Sequence, residues 1–260
     1  MFLAMMVYGE PGAEIIYPNP GFPIYESAIK FSGATAVPLK LREQNAFAFS
    51  AEELLSKIND RTRLIIVNSP ANPTGGTVPR REFDNLVSGL EKWPKVSLMS
   101  DEIYGQMLYD NREHVSLLQY PDIQDRLILL DGWSKTYAMT GWRLGYSVWP
   151  QSVIQHAEKL CVNIHSCVNA SAQYAGIAAL QGPQDEARSM VTAFDERRKV
   201  IVSGLNQING FSCVEPGGAF YAFPNITRTG LSSDILQRKL LEEIGVAVIS
   251  GTSFGDFGEG

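Results

Sequence analysis

"RLILLDGWSKTYAMTGWRLGYSVWP", residues 126–150, opens on an apolar run, passes through a lysine and an arginine, and becomes apolar again almost at once. The first run reads as a buried strand, because it is apolar on both of the faces that a strand alternates between. The second, "LGYSVWP" (144–150), begins too soon after Lys135 for a crossover helix, so it is expected to be an antiparallel strand. Upstream lie two similar runs, "RLIIVNSP" (63–70) and "VSLMSDEIY" (96–104), spaced about 30 residues apart, with the helix-compatible "RREFDNLVSGLEKW" between them. That rhythm is one of βαβ units with right-handed crossovers. The expected fold is α/β: a mostly parallel central sheet with helices on both faces.

Beyond this core, "PQDEARSMVTAFDERRKVIVSGLNQI" (183–208) has the period of a long amphipathic helix. It leads towards a smaller α+β segment containing "FSCVEPGGAFYAFP", whose "GGAFYAFP" is expected to form a strand and turn, and "LLEEIGVAVISG". A boundary near residue 192 is expected, with a large domain over 1–192 and part of a small domain over 193–260. The opening "FLAMMVYG" reads as helix without an N-cap, and "FGDFGEG" closes no element, so a piece of a longer protein is expected.

Composition narrows the partners. The chain has 260 residues, is 45% hydrophobic and carries a net charge of −6, without a basic cluster, so no nucleic-acid partner is expected. The opening "MFLAMMVYGEPG" lacks the basic start and small-residue cleavage pattern of a leader peptide, so none is expected, and no run reaches the roughly 18 apolar residues of a spanning helix, so no membrane partner is expected either. Cys161, Cys167 and Cys213 lack both disulfide pattern and zinc-ligand spacing, and His114, His156 and His165 lack partners in sequence; no metal is expected, and a reducing cytoplasm fits best.

In open α/β sheets ligands bind outside the carboxyl ends of the strands, and each apolar run here ends in polar residues: Asn68 and Asn72, then Asp101, then Asp131 and Lys135. A lysine desolvated beside a second cation becomes less basic and turns into a nucleophile for carbonyl groups. Arg143 keeps its charge and offers a planar fork to phosphate. A cofactor with both an aldehyde and a phosphate uses both cations, and pyridoxal 5'-phosphate is such a molecule. Its pyridine nitrogen needs a buried carboxylate, for which Asp101 is placed, unless that residue merely caps the next helix. Tyr104 reaches the same crevice or belongs to the core. Asn72, in the turn "NSPANPTGG", is placed to donate to the phenolic oxygen, and Phe22, in "YPNPGFPIYES", either covers the ring or packs in the core.

With these residues in view, the chain resembles the fold-type I pyridoxal-phosphate aminotransferases, class I/II, the aspartate and aromatic aminotransferases among them. The resemblance rests on "SKTYAMTGWRLGY", "NPTGG", "SDEIY", "GGAFYAFP" and "GTSFG" in that family's order along the whole chain. It implies that Lys135 forms the Schiff base and moves the proton, that Asp101 holds the pyridinium, and that Tyr104 and Asn72 bond the phenolic oxygen. It further implies that Arg143, with Ser134, holds the phosphate and that Phe22 stacks on the ring. The substrates implied are an L-amino acid and a 2-oxo acid, and the assembly a homodimer. Family members extend further at the amino end, where a phosphate-binding turn is expected, and carry a carboxylate-binding arginine beyond the position of Gly260. Two other functions fit the same scaffold: a C–S lyase, and a non-catalytic effector-binding domain. Gly218 and Tyr221 either border the substrate or serve packing.

Overall fold

A computed structural model describes all residues from 1 to 260. Six strands form one sheet in the spatial order β2-β1-β3-β4-β5-β6. They are β1 (Glu14–Asn19), β2 (Thr35–Lys40), β3 (Thr62–Asn68), β4 (Ser97–Asp101), β5 (Leu127–Gly132) and β6 (Gly145–Val148). The first five run parallel. The sixth is antiparallel to β5, as the short link after Lys135 requires.

Strand side chains alternate between two cores. Ile15, Leu64, Ile66, Met99 and Ile128 pack on one face with Met5 of α1 (Phe2–Tyr8) and with Tyr25 and Ile29 of α2 (Ile24–Phe31). Ile16, Ile65, Val67, Leu98 and Leu127 pack on the other with Leu54 of α3 (Ala51–Ser56) and with Phe83 and Leu86 of α4 (Arg80–Gly89). Two covered faces are why these strands read as continuous apolar runs. Leu86 is wholly buried. Leu86→Ala is expected to lower stability by about 2–5 kcal/mol, through lost transfer energy and the cavity left behind, read as a lower midpoint in urea.

Strands β1 and β2 escape the apolar-run reading because each carries a proline. Pro38 is tolerated on an edge strand, and Pro18 lies past Ile16–Ile65, the last β1–β3 pair, so neither removes a needed sheet bond. The order also explains where a ligand belongs. From β1 the chain crosses outward to β2, and β3 then returns to β1's other side, so the crevice opens at the carboxyl ends of β1 and β3.

The remaining helices are α5 (Trp133–Thr136), α6 (Ile154–His165), α7 (Ala170–Gln181), α8 (Asp185–Gln207) and α9 (Ser233–Ile244). Helix α8 passes through residue 192 without a break. The strand expected in "GGAFYAFP" does not form: there is only an isolated bridge between Leu108 and Gly218, with a second, Ser212 to Asn225, flanking the segment. Ala219, at φ 58°, turns the chain out of extended geometry.

Candidate active site

Outside the carboxyl ends of the strands lies a cavity of about 1300 Å³ whose walls include Phe22, Asn72, Asp101, Tyr104, Ser134, Lys135 and Arg143. These seven residues therefore face one space, while Gly218 and Tyr221 are not among its lining residues.

Asp101 ends β4 and is buried. Its Oδ2 accepts from the Tyr25 hydroxyl at 2.7 Å, and its Oδ1 accepts from the Ile103 amide at 3.4 Å. Burial pushes this carboxyl above the ordinary aspartate range, against the pull of those two donors. Its backbone carbonyl accepts from Asn68 Nδ2 at 2.9 Å, while Asn68 Oδ1 accepts from the Asn72 amide at 2.9 Å. Asn68 thus ties the end of β4 to the "NPTGG" turn and sets where Asn72 sits. Asn72 Oδ1 is the one buried side-chain polar atom without a partner in the molecule.

Lys135 lies on α5, directly after β5. Trp133 anchors this turn: its Nε1 donates to the Gly176 carbonyl of α7 at 3.0 Å, and its ring meets Tyr146 edge-on at 5.6 Å. The Lys135 amine faces the rings of Phe220 (5.2 Å) and Tyr104 (5.6 Å) rather than a carboxylate. Burial lowers its basicity and the nearby Arg143 charge lowers it further, with Asp101 opposing.

Arg143 stands at the far end of the same hairpin, exposed at the cavity rim, in left-handed backbone geometry (φ 54°) that brings its Nη1 onto the Thr140 carbonyl at 2.9 Å. At the base of the hairpin Gly132 pairs with Gly145. A Cβ at 132 would come within 2.8 Å of the Gly145 Cα, so a glycine is needed there. Asp131 is half-buried beside it, accepting from the Gly132 amide (2.6 Å) and the Tyr146 hydroxyl (3.1 Å). Burial raises its carboxyl above the usual range.

Phe22 meets Tyr25 edge-on at 5.8 Å. Its loop is clamped by the "GTSFG" turn, with the Gly21 amide donating to the Phe254 carbonyl at 2.9 Å. Two tyrosines complete the site. Tyr25 reaches Asp101 across 76 residues of chain, a meeting that no local pattern signals. The Tyr221 hydroxyl contacts that of Tyr104, which lines the cavity, while Tyr221 itself is not among the lining residues. Of the histidines, His114 bonds the buried Glu102 through Nε2 at 2.6 Å, while His165 lines the cavity wall. The three cysteines are free, and Cys161 and Cys167 also line the wall.

The model of the family "Aminotransferase class I and II" matches residues 1–258. The aspartate aminotransferase of Pyrococcus horikoshii is 39% identical over 261 residues, covering all of this chain and 66% of that protein. Among solved structures, the aspartate aminotransferase of Rhizobium meliloti superimposes with a TM-score of 0.92 at 34% identity, over 98% of this chain and 66% of that one. The aromatic aminotransferase of P. horikoshii gives 0.95 at 33% identity, over 100% of this chain and 69% of that one. The chain spans just under two thirds of the length of the curated relatives it matches. With the family model matched over residues 1–258 and a relative 39% identical over the whole of this chain, the chain belongs to the class I and II aminotransferase family.

Proposed function

We propose that the protein is a pyridoxal-phosphate-dependent aminotransferase that moves an amino group between an L-amino acid and a 2-oxo acid, in the manner of the aspartate or aromatic enzymes. The observation that carries this reading is the meeting of Lys135, Asp101, Asn72 and Arg143 in one cavity. The cofactor fits what these residues lack. Asp101 is a buried carboxylate whose donors are a tyrosine and a backbone amide, so a cationic ring N–H supplies the charge it is missing. Asn72 has an unsatisfied amide, which a phenolic oxygen satisfies once the amide turns its Nδ2 outward.

When bound, pyridoxal 5'-phosphate supplies an electron sink next to the substrate's α-carbon. The chain does the rest. Lys135, kept less basic by burial and by Arg143, would hold the cofactor through its aldehyde, and its Nζ would take the proton from the substrate's α-carbon. Asp101 holds the ring nitrogen charged. Tyr104 and Asn72 donate to the phenolic oxygen, Arg143 and Ser134 bind the phosphate, and Phe22 covers the ring.

Assembly as a homodimer is part of the proposal, supported by exposed apolar side chains on α6 and α7, among them Val162, Ile164, Tyr174 and Leu180. A cytoplasmic setting is supported by three unpaired cysteines. The test is to load the purified protein with pyridoxal 5'-phosphate and supply L-aspartate or L-phenylalanine with and without 2-oxoglutarate. Amino transfer that needs the oxo acid is expected. Pyruvate and ammonia released from cystathionine without any acceptor would replace this reading with the lyase, and a protein that gives neither product would reject both.

A further inference from the structure

Residues 216–221 are held more tightly than an irregular turn requires. The amides of Gly217 and Gly218 both donate to the Gly75 carbonyl, at 2.9 and 3.1 Å, in the turn that also carries Asn72. The Ala219 amide donates to the Met107 carbonyl at 2.9 Å, and the Tyr109 hydroxyl donates to the Ala219 carbonyl. Arg198 of α8, buried and paired with Asp110, donates through Nη1 to the Pro216 carbonyl at 2.9 Å. Packing is close enough that a Cβ at 218 would lie 2.6 Å from Pro70 Cγ. Against that constraint Ala219 keeps left-handed geometry at φ 58°, a conformation that costs about 1 kcal/mol and persists because the surroundings over-determine it.

What this turn delivers is a pair of rings. Phe220 stacks on Phe194 of α8 at 5.3 Å and meets Tyr104 edge-on at 5.5 Å, beside the Lys135 amine. Tyr221 brings its hydroxyl onto the hydroxyl of Tyr104. Each phenol has one proton. On the cofactor reading given above, on which this inference rests, the Tyr104 proton goes to the phenolic oxygen, and Tyr104 then has only lone pairs to offer Tyr221. The order of donation is therefore Tyr221 to Tyr104 to cofactor.

We infer that Tyr221 is a positioning residue for the reaction: its hydroxyl orients and polarises that of Tyr104 towards the cofactor's phenolic oxygen, and the 216–221 turn holds it there. Donors in series strengthen one another. A stronger Tyr104 bond disperses the negative charge of the phenolic oxygen, so the Lys135 nitrogen joined to the cofactor releases its proton more readily. The titratable or charged groups around the pair are Asp101 at the end of β4, Tyr25 on α2, and Lys135, whose amine lies 5.6 Å from the Tyr104 ring and is itself influenced by Arg143.

The test is a pH titration of the visible band in the cofactor-loaded protein, for the unaltered chain, Tyr221→Phe, Tyr104→Phe and the double variant. Tyr221→Phe keeps the ring that packs on Phe220. Its midpoint is expected to rise by about 0.3–0.7 pH unit, less than for Tyr104→Phe and in the same direction. In the Tyr104→Phe background the second substitution is expected to add no shift. An unchanged midpoint in Tyr221→Phe overturns the inference, as does a shift of equal size in both backgrounds, or loss of the band from Tyr221→Phe alone. An unaltered protein without any band overturns the cofactor reading, and the inference with it.

Discussion

Lys135→Ala is expected to lower the rate of amino transfer by at least about four orders of magnitude, because one amine serves as both the covalent attachment and the base for the α-carbon proton. Its loss should leave the fold almost untouched. The amine meets only the faces of Tyr104 and Phe220, at 5.6 and 5.2 Å, contacts worth about 0.5–1 kcal/mol. Unfolding by urea and single-turnover transfer, measured on the same preparation, separate the two effects. A variant that folds normally and still transfers amino groups at a tenth of the parental rate would remove Lys135 from the chemistry. Lys135→Arg makes the same point from the other side, since a guanidinium cannot give up its charge to become a nucleophile.

Asp101→Asn is expected to lower the rate roughly a thousandfold while making the cofactor-free protein more stable at neutral pH. The sign follows from the direction of its shift. Burial raises the folded-state pKa of Asp101 above the unfolded value, so the folded protein holds this proton more tightly. Keeping the carboxylate ionised therefore opposes folding at neutral pH, and the opposition fades as pH falls to roughly 4 and below. Asparagine has no charge to desolvate and still accepts from Tyr25. The melting temperature should rise by about 2–4 °C for each kcal/mol recovered, with the gap over the parent closing towards acid pH. Equal melting curves at pH 7 would show that the Tyr25 and Ile103 donors already compensate the buried charge.

The sheet's centre was legible because β3, β4 and β5 bury both faces and so appear in the sequence as uninterrupted apolar runs. β1 and β2 were not, since Pro18 and Pro38 signal turns unless the pairing register is known. The site was legible where chemistry follows a strand end directly, as with Asp101 after β4 and Lys135 after β5. It was hidden where residues meet only through topology. Tyr25 reaches Asp101 because α2 and β4 share a face of the sheet, and Tyr221 reaches Tyr104 because a strained turn folds back over it. The "GGAFYAFP" segment misled for a local reason: its aromatic residues favour a strand, but Ala219 takes left-handed geometry and most of the segment's bonds go to loops.

The hairpin from β5 to β6 behaves as a caliper. Its hinge is the glycine pair 132 and 145, packed so closely that a Cβ at Gly132 would come within 2.8 Å of the Gly145 Cα. One jaw carries Lys135 and the other Arg143, so the count of residues between the jaws fixes the gauge. Evolutionary drift should then be lopsided in this loop. An added side chain at Gly141 meets nothing within 4 Å and is free to vary. A single inserted or deleted residue between Thr136 and Trp142 resets the gauge, and the protein would grip molecules of a different length.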